Sequence, residues 1–307
     1  LGSASCHFHI GNGDHNFVYS GDIKYGKSML LESARTNFPR VETLLIESTY
    51  GAKEDIQPTR EEVEAAFIKS VNETLSAGGK VLIPIPAVGR AQELMMVIDK
   101  YMKSGEMTES PVFMEGMIQE ATAIHEAHPE YLERTLKQKI LETDDNPFDS
   151  EFFTNIEHAD GRDEPLREDS PCIIIATSGM LEGGPVLEYF RNLAPEQRNK
   201  ILFVSYQVNG TLGRRVMDGA RQVSILGREG KIEVVSINCA TERLEGFSGH
   251  SDYNQLMSYV HRLRPKLRRV LVNHGEKRKL ENLSASIRRM YRVTAHYPQV
   301  QEAIKLF

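Results

Sequence analysis

Phe247-Ser248-Gly249-His250-Ser251-Asp252 and Val270-Leu271-Val272-Asn273-His274-Gly275-Glu276 each set one histidine beside a glycine where a strand or loop gives way to a helix. Upstream, Tyr19-Ser20-Gly21-Asp22 and Leu45-Ile46-Glu47-Ser48-Thr49-Tyr50 each end an apolar run on a carboxylate. Strand ends that present His, His, Asp and Glu are the donor set a metal hydrolase needs. Around these strings the rhythm is strand, helix, strand. The runs 80–85, 172–176, 201–205 and 269–272 are short and almost wholly apolar, as strands covered on both faces require. Thr59 and Glu62 form a capping box ahead of a helix over 60–76. There Val63, Ala66, Phe67, Val71 and Leu75 share a face, and Gly78-Gly79 stops the helix. Further helices are expected over 89–103, 117–128, 251–263 and 277–291. Residues 142–170 are rich in Asp, Glu, Asn and Pro and predict a long loop. Residues 222–238 predict a hairpin around the turn Gly227-Arg228-Glu229-Gly230. The fold class is therefore α/β.

Composition narrows the function classes. The chain has 307 residues, enough for one large or two medium domains. Its net charge is −6, so any nucleic-acid contact needs a local basic patch or metal ions. No stretch approaches the roughly 18 apolar residues of a membrane helix. Leu1-Gly2-Ser3-Ala4 does not have the pattern of a signal peptide. Cys6, Cys172 and Cys239 lie far apart, which predicts buried thiols in a reducing compartment.

Each candidate site residue has a physical warrant. Asp22 follows a glycine at a strand end, where a carboxylate approaches a cation unhindered. His274 ends a strand of apolar residues, and a neutral imidazole there suits zinc. His250 precedes a helix that Ser251 or Asp252 caps, with Gln255 sharing the cap. The positive end of the helix favours a phosphate. A histidine acting there as a cationic acid wants a carboxylate partner, and Glu47 is the candidate.

Elsewhere the warrants are weaker. Arg90 opens a helix in Gly89-Arg90-Ala91-Gln92-Glu93, where backbone N–H groups can hold a phosphate. Thr177 and Ser178, followed by Gly183-Gly184, offer hydroxyls and amides to a nucleic-acid backbone, as does Thr211. The runs Arg262/Arg264/Lys266/Arg268/Arg269 and Lys277/Arg278/Lys279 read as solvated faces. His7, His9, Asp14 and His15 mimic a metal string, but four residues separate His9 from Asp14. That segment predicts a hairpin over 5–20 with His7 and His9 on one strand face.

Taken in order, these segments resemble the β-CASP branch of the metallo-β-lactamase superfamily. Ser20-Gly21-Asp22, Ile46-Glu47-Ser48-Thr49-Tyr50-Gly51, Gly89-Arg90-Ala91-Gln92-Glu93, Ser178-Gly179-Met180, Ser248-Gly249-His250-Ser251-Asp252 and Val272-Asn273-His274-Gly275-Glu276 carry the likeness. It is greatest to archaeal members similar to the cleavage and polyadenylation specificity factor. The resemblance implies the C-terminal part of a metallo-β-lactamase αββα sandwich (1–51 and 247–307), with an α/β β-CASP domain inserted over 52–246. It implies that Asp22 bridges two zinc ions, that His274 is a zinc ligand, and that His250, paired with Glu47, contacts the scissile phosphate. Arg90, Thr177, Ser178 and Thr211 fall to RNA binding.

The implied activity is zinc-dependent endo- or exoribonuclease hydrolysis in 3′-end processing and transcription termination. The implied setting is cytoplasmic, with upstream KH domains and a homodimer through 299–307. The alternatives are a non-catalytic scaffold of the same fold and a small-molecule hydrolase. The family's His-x-His-x-Asp-His string does not occur in this chain. The chain is thus expected to be a fragment of a longer parent that by itself holds no zinc pair and cleaves no RNA.

Overall fold

The computed structural model describes residues 1–143, 145–167, 171–227 and 230–306. In chain order the elements begin β1 (Cys6–Ile10), β2 (His15–Tyr19), β3 (Thr43–Glu47), α1 (Arg60–Ser76), β4 (Val81–Pro84), α2 (Arg90–Lys103), β5 (Val112–Glu115), α3 (Ile118–Ala127) and α4 (Arg134–Glu142). There follow β6 (Phe153–Ile156), α5 (Asp163–Arg167), β7 (Ile173–Ala176), α6 (Val186–Leu193), β8 (Lys200–Phe203), α7 (Leu212–Met217), β9 (Gln222–Leu226), β10 (Ile232–Ser236) and β11 (Ala240–Arg243). The last elements are α8 (Tyr253–Leu263), β12 (Arg269–Asn273), α9 (Lys277–Tyr291) and β13 (Thr294–His296). They fall into two compact units. One combines Leu1–Gln57 with Gly249–Phe307, and the other is Pro58–Ser248.

The first unit is a five-stranded sheet in the order β1-β2-β3-β12-β13. Its β1–β2 hairpin is antiparallel, and β2, β3, β12 and β13 run parallel. Leu44, Ile46, Val270 and Val272 point from alternate positions into one core. From α8 and α9, Leu256, Tyr259, Val260, Leu283 and Ile287 close over them. Glu42 sews β2 to the start of β3. Its carboxylate accepts from the Asn16 amide nitrogen (2.7 Å), the Asn16 side chain (2.9 Å) and Arg40 (2.9 Å). Burial pushes its pKa up, but these bonds outweigh that and hold it down at about 2.

The second unit is a parallel six-stranded sheet, β11-β8-β4-β7-β5-β6, with the β9–β10 hairpin apart from it. All of β4, β5 and β7 is buried, as a covered parallel sheet demands. Thr59 and Glu62 form the expected capping box on α1. The buried side of α1 differs from expectation. Ala66 is exposed, and Glu64, Ser70 and Thr74 are buried beside Val63, Phe67, Val71 and Leu75. Glu64 tolerates burial because Arg60, Lys100 and Tyr101 all bond it.

Residues 142–170 are not one loop. They contain β6, which pairs with β5, and the short α5. As an edge strand, β6 buries only Ile156 fully and so carries no apolar pattern. The hairpin at 222–236 forms, although its turn residues Arg228 and Glu229 lie outside the described residues. The cysteines are free; Cys172 and Cys239 are buried, but Cys6 is exposed because β1 is an uncovered edge strand. Burial pushes the Cys239 thiol up to about 11. Among the described residues no helix is long and apolar enough to cross a membrane.

Candidate metal centre

Three parallel strands deliver the site. The register Asn273↔Glu47 brings the ends of β12 and β3 side by side, so His274 emerges next to Glu47 and Ser48. The Ser48 amide donates to the His274 carbonyl (3.1 Å) and its hydroxyl to the Asn273 carbonyl (2.9 Å). Gly275 makes this approach possible, since a Cβ there would stand 2.4 Å from the Ser48 hydroxyl and 2.5 Å from its carbonyl oxygen. His274 itself takes a left-handed backbone, φ 50°. On the other side, the Ser20 amide bonds the Leu45 carbonyl (2.9 Å). Gly21 then turns with φ 59°, its α-carbon too close to the Ala4 carbonyl for any side chain, and presents Asp22.

His250 arrives ahead of α8. Asp252 is the N-cap, with Gln255 completing the capping box. Ser251, the other candidate cap, instead donates to the Ile23 carbonyl (2.9 Å) and accepts from the Tyr25 amide (2.7 Å). These bonds staple the His250 loop to the segment that follows Asp22. Lys24 adds a second tether, donating to the His250 carbonyl (3.1 Å) and to Gln57 (2.7 Å). Sequence reasoning missed both tethers, because nothing in local spacing relates residues 23–25 to residue 250.

The ligand atoms of Asp22, Glu47, His250 and His274 all lie within 4.8 Å of one another. They divide into two pairs. The Glu47 carboxylate is buried, and its oxygens lie 2.9 and 3.0 Å from His250 Nδ1. An ionised carboxylate only accepts, so Nδ1 carries a proton and donates. Glu47 also accepts from the Ile23 amide (2.8 Å) and the Thr49 amide (3.3 Å). With three N–H donors on its oxygens, Glu47 is an anchor for His250 and a poor metal ligand.

Asp22 and His274 form the second pair, 3.2 Å from Oδ1 to Nδ1, each about half exposed. Two ligands on one tetrahedral zinc, each about 2.1 Å from the ion, stand about 3.4 Å apart. The observed spacing and the N/O donor chemistry therefore fit zinc. The Thr49 hydroxyl lies 3.3 Å from the same His274 nitrogen. The imidazoles of His250 and His274 stack at 6.0 Å, and Tyr50 flanks His250 at 6.4 Å. His7 and His9 take no part: their rings pack against each other at 4.4 Å, and His9 bonds Asn16.

The remaining predicted residues belong to the second unit. The register Pro84↔Ala176 places the loops carrying Arg90, Thr177 and Ser178 at the carboxyl edge of its sheet, and the loop to Thr211 follows β8 at that edge. Each has an internal contact. Arg90 bonds Glu93 (2.5 Å) and the Phe247 carbonyl. The Thr177 hydroxyl abuts Gly116. The Ser178 hydroxyl accepts from the Glu182 amide (3.1 Å). Thr211 caps α7.

The parallel strands carry at their tips an Asp-His pair beside a Glu-His pair, a donor set that suits metal-dependent hydrolysis. Comparison with known families agrees. A Beta-Casp domain model matches residues 91–216. A model of the Zn-dependent metallo-hydrolase RNA specificity domain matches residues 234–298. The chain belongs to the β-CASP family of the metallo-β-lactamase superfamily. It is similar to the transcription termination factor FttA of Cenarchaeum symbiosum, 79% identical over 307 residues, covering 100% of this chain and 48% of that protein. The FttA proteins of Pyrococcus abyssi and Methanocaldococcus jannaschii are 49% and 48% identical over 306 residues, covering 47% and 48% of their lengths and 100% of this chain. The chain thus spans about half the length of these curated relatives.

Proposed function

We propose that this sequence is part of a zinc-dependent ribonuclease that acts in RNA 3′-end formation and transcription termination. The observation that carries this reading is the Glu47–His250 pair, 2.9 Å apart, beside an Asp22–His274 pair with zinc-ligand spacing. Asp22 and His274 hold zinc. The ion, when bound, supplies Lewis-acid polarisation of the phosphate and activates the attacking water. Glu47 accepts from the Nδ1–H of His250, and in the imidazolium form the Nε2–H presents its proton to the departing oxygen, leaving the neutral Nδ1–H ring. Glu47 also stabilises the imidazolium before that transfer. General acid catalysis of this kind contributes roughly 10²–10⁴-fold. A non-catalytic scaffold has no use for a buried carboxylate that turns both oxygens to one imidazole.

In this reading residues 1–51 and 247–307 are the metallo-β-lactamase part and 52–246 the inserted β-CASP domain. Arg90, Thr177, Ser178 and Thr211 contact RNA. The C-terminal segment pairs two copies, for which Val300, 95% exposed, offers an apolar contact; its last residue, Phe307, lies outside the described residues. A termination role places the protein in the cytoplasm.

The test is made in a protein of the relatives' length that carries this sequence. His250→Ala should slow RNA cleavage by roughly 10²–10⁴-fold with zinc content unchanged. Asp22→Ala should remove zinc. Loss of zinc from the His250 variant, or an active and fully metallated Asp22 variant, overturns the assignment. The 307-residue chain contributes Asp22 and His274, whereas an open catalytic zinc takes about three protein ligands. Alone it should bind zinc weakly and cleave no RNA; two zincs per chain by elemental analysis refute this.

A further inference from the structure

Cationic charge in this acidic chain is concentrated at one place. Residues 261–292 contain eleven lysines and arginines against two glutamates. Part of this charge sits at the catalytic end of the first unit and is used there: Arg278 pairs with Glu54, and Lys279 pairs with Asp55 and lies over the Tyr50 ring. The rest gathers at the opposite edge of the same sheet.

Backbone register brings it together. The Arg268 and Arg269 amides both donate to the Glu42 carbonyl, and Arg269 stands opposite Thr294 in β13. Three cations are tied to carbonyls along this edge: Lys266 to Phe38, Arg269 to Lys305 and Arg288 to Ala295. The Tyr291 hydroxyl, at the end of α9, donates to the Met257 carbonyl of α8 (3.0 Å), which ties the two helices together. Arg262, Arg264, Arg268, Arg289 and Arg292 are exposed, and none forms an ion pair among the described residues. Glu42, whose carbonyl the Arg268 and Arg269 amides share, has its carboxylate engaged by Asn16 and Arg40, and Glu302 is bonded by His296.

A structural explanation is too small. Both α8 and α9 end here, and basic residues in their last turns offset the helix dipoles. Each dipole end amounts to about half an elementary charge. Two helices therefore account for about one of the eight cations along this edge.

The geometry points to a second RNA-binding surface here, at the edge of the first unit's sheet remote from His250, which holds the phosphate backbone of single-stranded RNA. Seven of the eight cations are arginines, whose planar forks suit phosphate oxygens. Met290 is the exposed large hydrophobic of α8, β12 and α9, and Val300 stands on the C-terminal segment that Arg269 bonds; two scattered side chains do not make the apolar centre of a protein interface. The match to an RNA specificity domain covers the whole segment. His274 is five residue steps along β12 from Arg269, about 16 Å at 3.3 Å per residue, so RNA held at this edge lies outside the catalytic contacts. This surface does not depend on hydrolysis at His250.

The test uses the 307-residue chain and a short fluorescent single-stranded RNA, titrated at several salt concentrations by anisotropy. Each phosphate contact contributes about 0.7 to the log–log salt slope for a single strand, so the triple variant R262Q/R264Q/R289Q should flatten the slope by about 2. At about 0.1 M salt that corresponds to about 100-fold weaker binding. The variant R262K/R264K/R289K keeps the charge and should keep the slope, which separates lost charge from lost fold. An unchanged slope in the glutamine variant overturns the proposal. So does displacement of the RNA by polyglutamate of matched charge at an equal concentration, which reassigns the surface to an acidic protein. A protein of the relatives' length whose His250→Ala variant cleaves RNA as fast as the unsubstituted protein, with the salt slope unchanged, counts against the ribonuclease reading and leaves this surface standing.

Discussion

Replacing Glu47 by Gln tests the arrangement on which the site depends. Three N–H donors, from Ile23, Thr49 and His250, converge on two buried carboxylate oxygens. A carboxamide keeps one acceptor oxygen and substitutes a donor for the other. In every orientation of the amide, at least one of the three donors faces an NH₂ group. His250, a quarter exposed, can shed its proton. The penalty of about 3–5 kcal/mol for an abandoned buried charge therefore does not arise. What is lost is the difference between hydrogen bonds to a charged group, about 1.5–3 kcal/mol each, and neutral ones near 1 kcal/mol. Over two to three bonds this comes to about 2–4 kcal/mol. Urea unfolding should show that loss as a lower midpoint with an unchanged slope. Nitrogen NMR of the imidazole should show the His250 Nδ1 signal shifted, as its acceptor changes from a carboxylate to a neutral amide. A double-mutant cycle with His250→Ala should give a coupling energy of at least about 1 kcal/mol. A Glu47→Gln variant within about 0.5 kcal/mol of wild type, or an unchanged Nδ1 signal, refutes the reasoning.

Three further outcomes follow from the same geometry. Gly275→Ala should push the tips of β3 and β12 apart and cost about 1–3 kcal/mol, with the loss read by calorimetry; no change in melting temperature would contradict the 2.4 Å approach to Ser48. Asp252→Ala should cost about 1–2 kcal/mol in urea, because it removes the cap on Gln255 and also the bond to the Gln57 amide. Glu42 has a folded pKa of about 2, below its ordinary 4.5, so its contribution to stability is complete above pH 4.5 and disappears as pH falls toward 2. Glu42→Gln should flatten the fall in unfolding free energy across that window, and a variant with the wild-type acid limb would count against the assignment.

The parts of this molecule that sequence reading recovers are those with local signals. The capping boxes of α1 and α8 are written in four consecutive residues each, and the buried runs of β4 and β7 are apolar throughout. The partnership of Glu47 and His250, 203 positions apart, is inferable from chemistry, since a histidine acting as a cationic acid wants a carboxylate. Edge elements are not legible. In β6 and β11 the residues are mostly exposed or half-buried, so no apolar pattern marks them. Apolar β5 escapes for another reason: four residues between Pro111 and Gly116 are too few to separate a strand from a short buried turn. Ala66 falls in the expected core when α1 is read for apolar residues alone, whereas the buried stripe includes Glu64, whose ion pairs come from Arg60 nearby and from the distant Lys100. The arginines at the foot of α8 and α9 are visible as runs. Their union is not, because it follows from the parallel return of β13 beside β12.

The left-handed backbone at His274 limits which residues can stand there. Such a conformation costs most side chains about 1–2 kcal/mol, and histidine, asparagine, aspartate and glycine occupy it most readily. Evolution or a protein engineer can therefore exchange the imidazole for a carboxamide or a carboxylate with the turn intact. A valine or isoleucine would have to overcome the main chain before any question of metal arose. The alphabet at this position is restricted by torsion angle first and by coordination chemistry second.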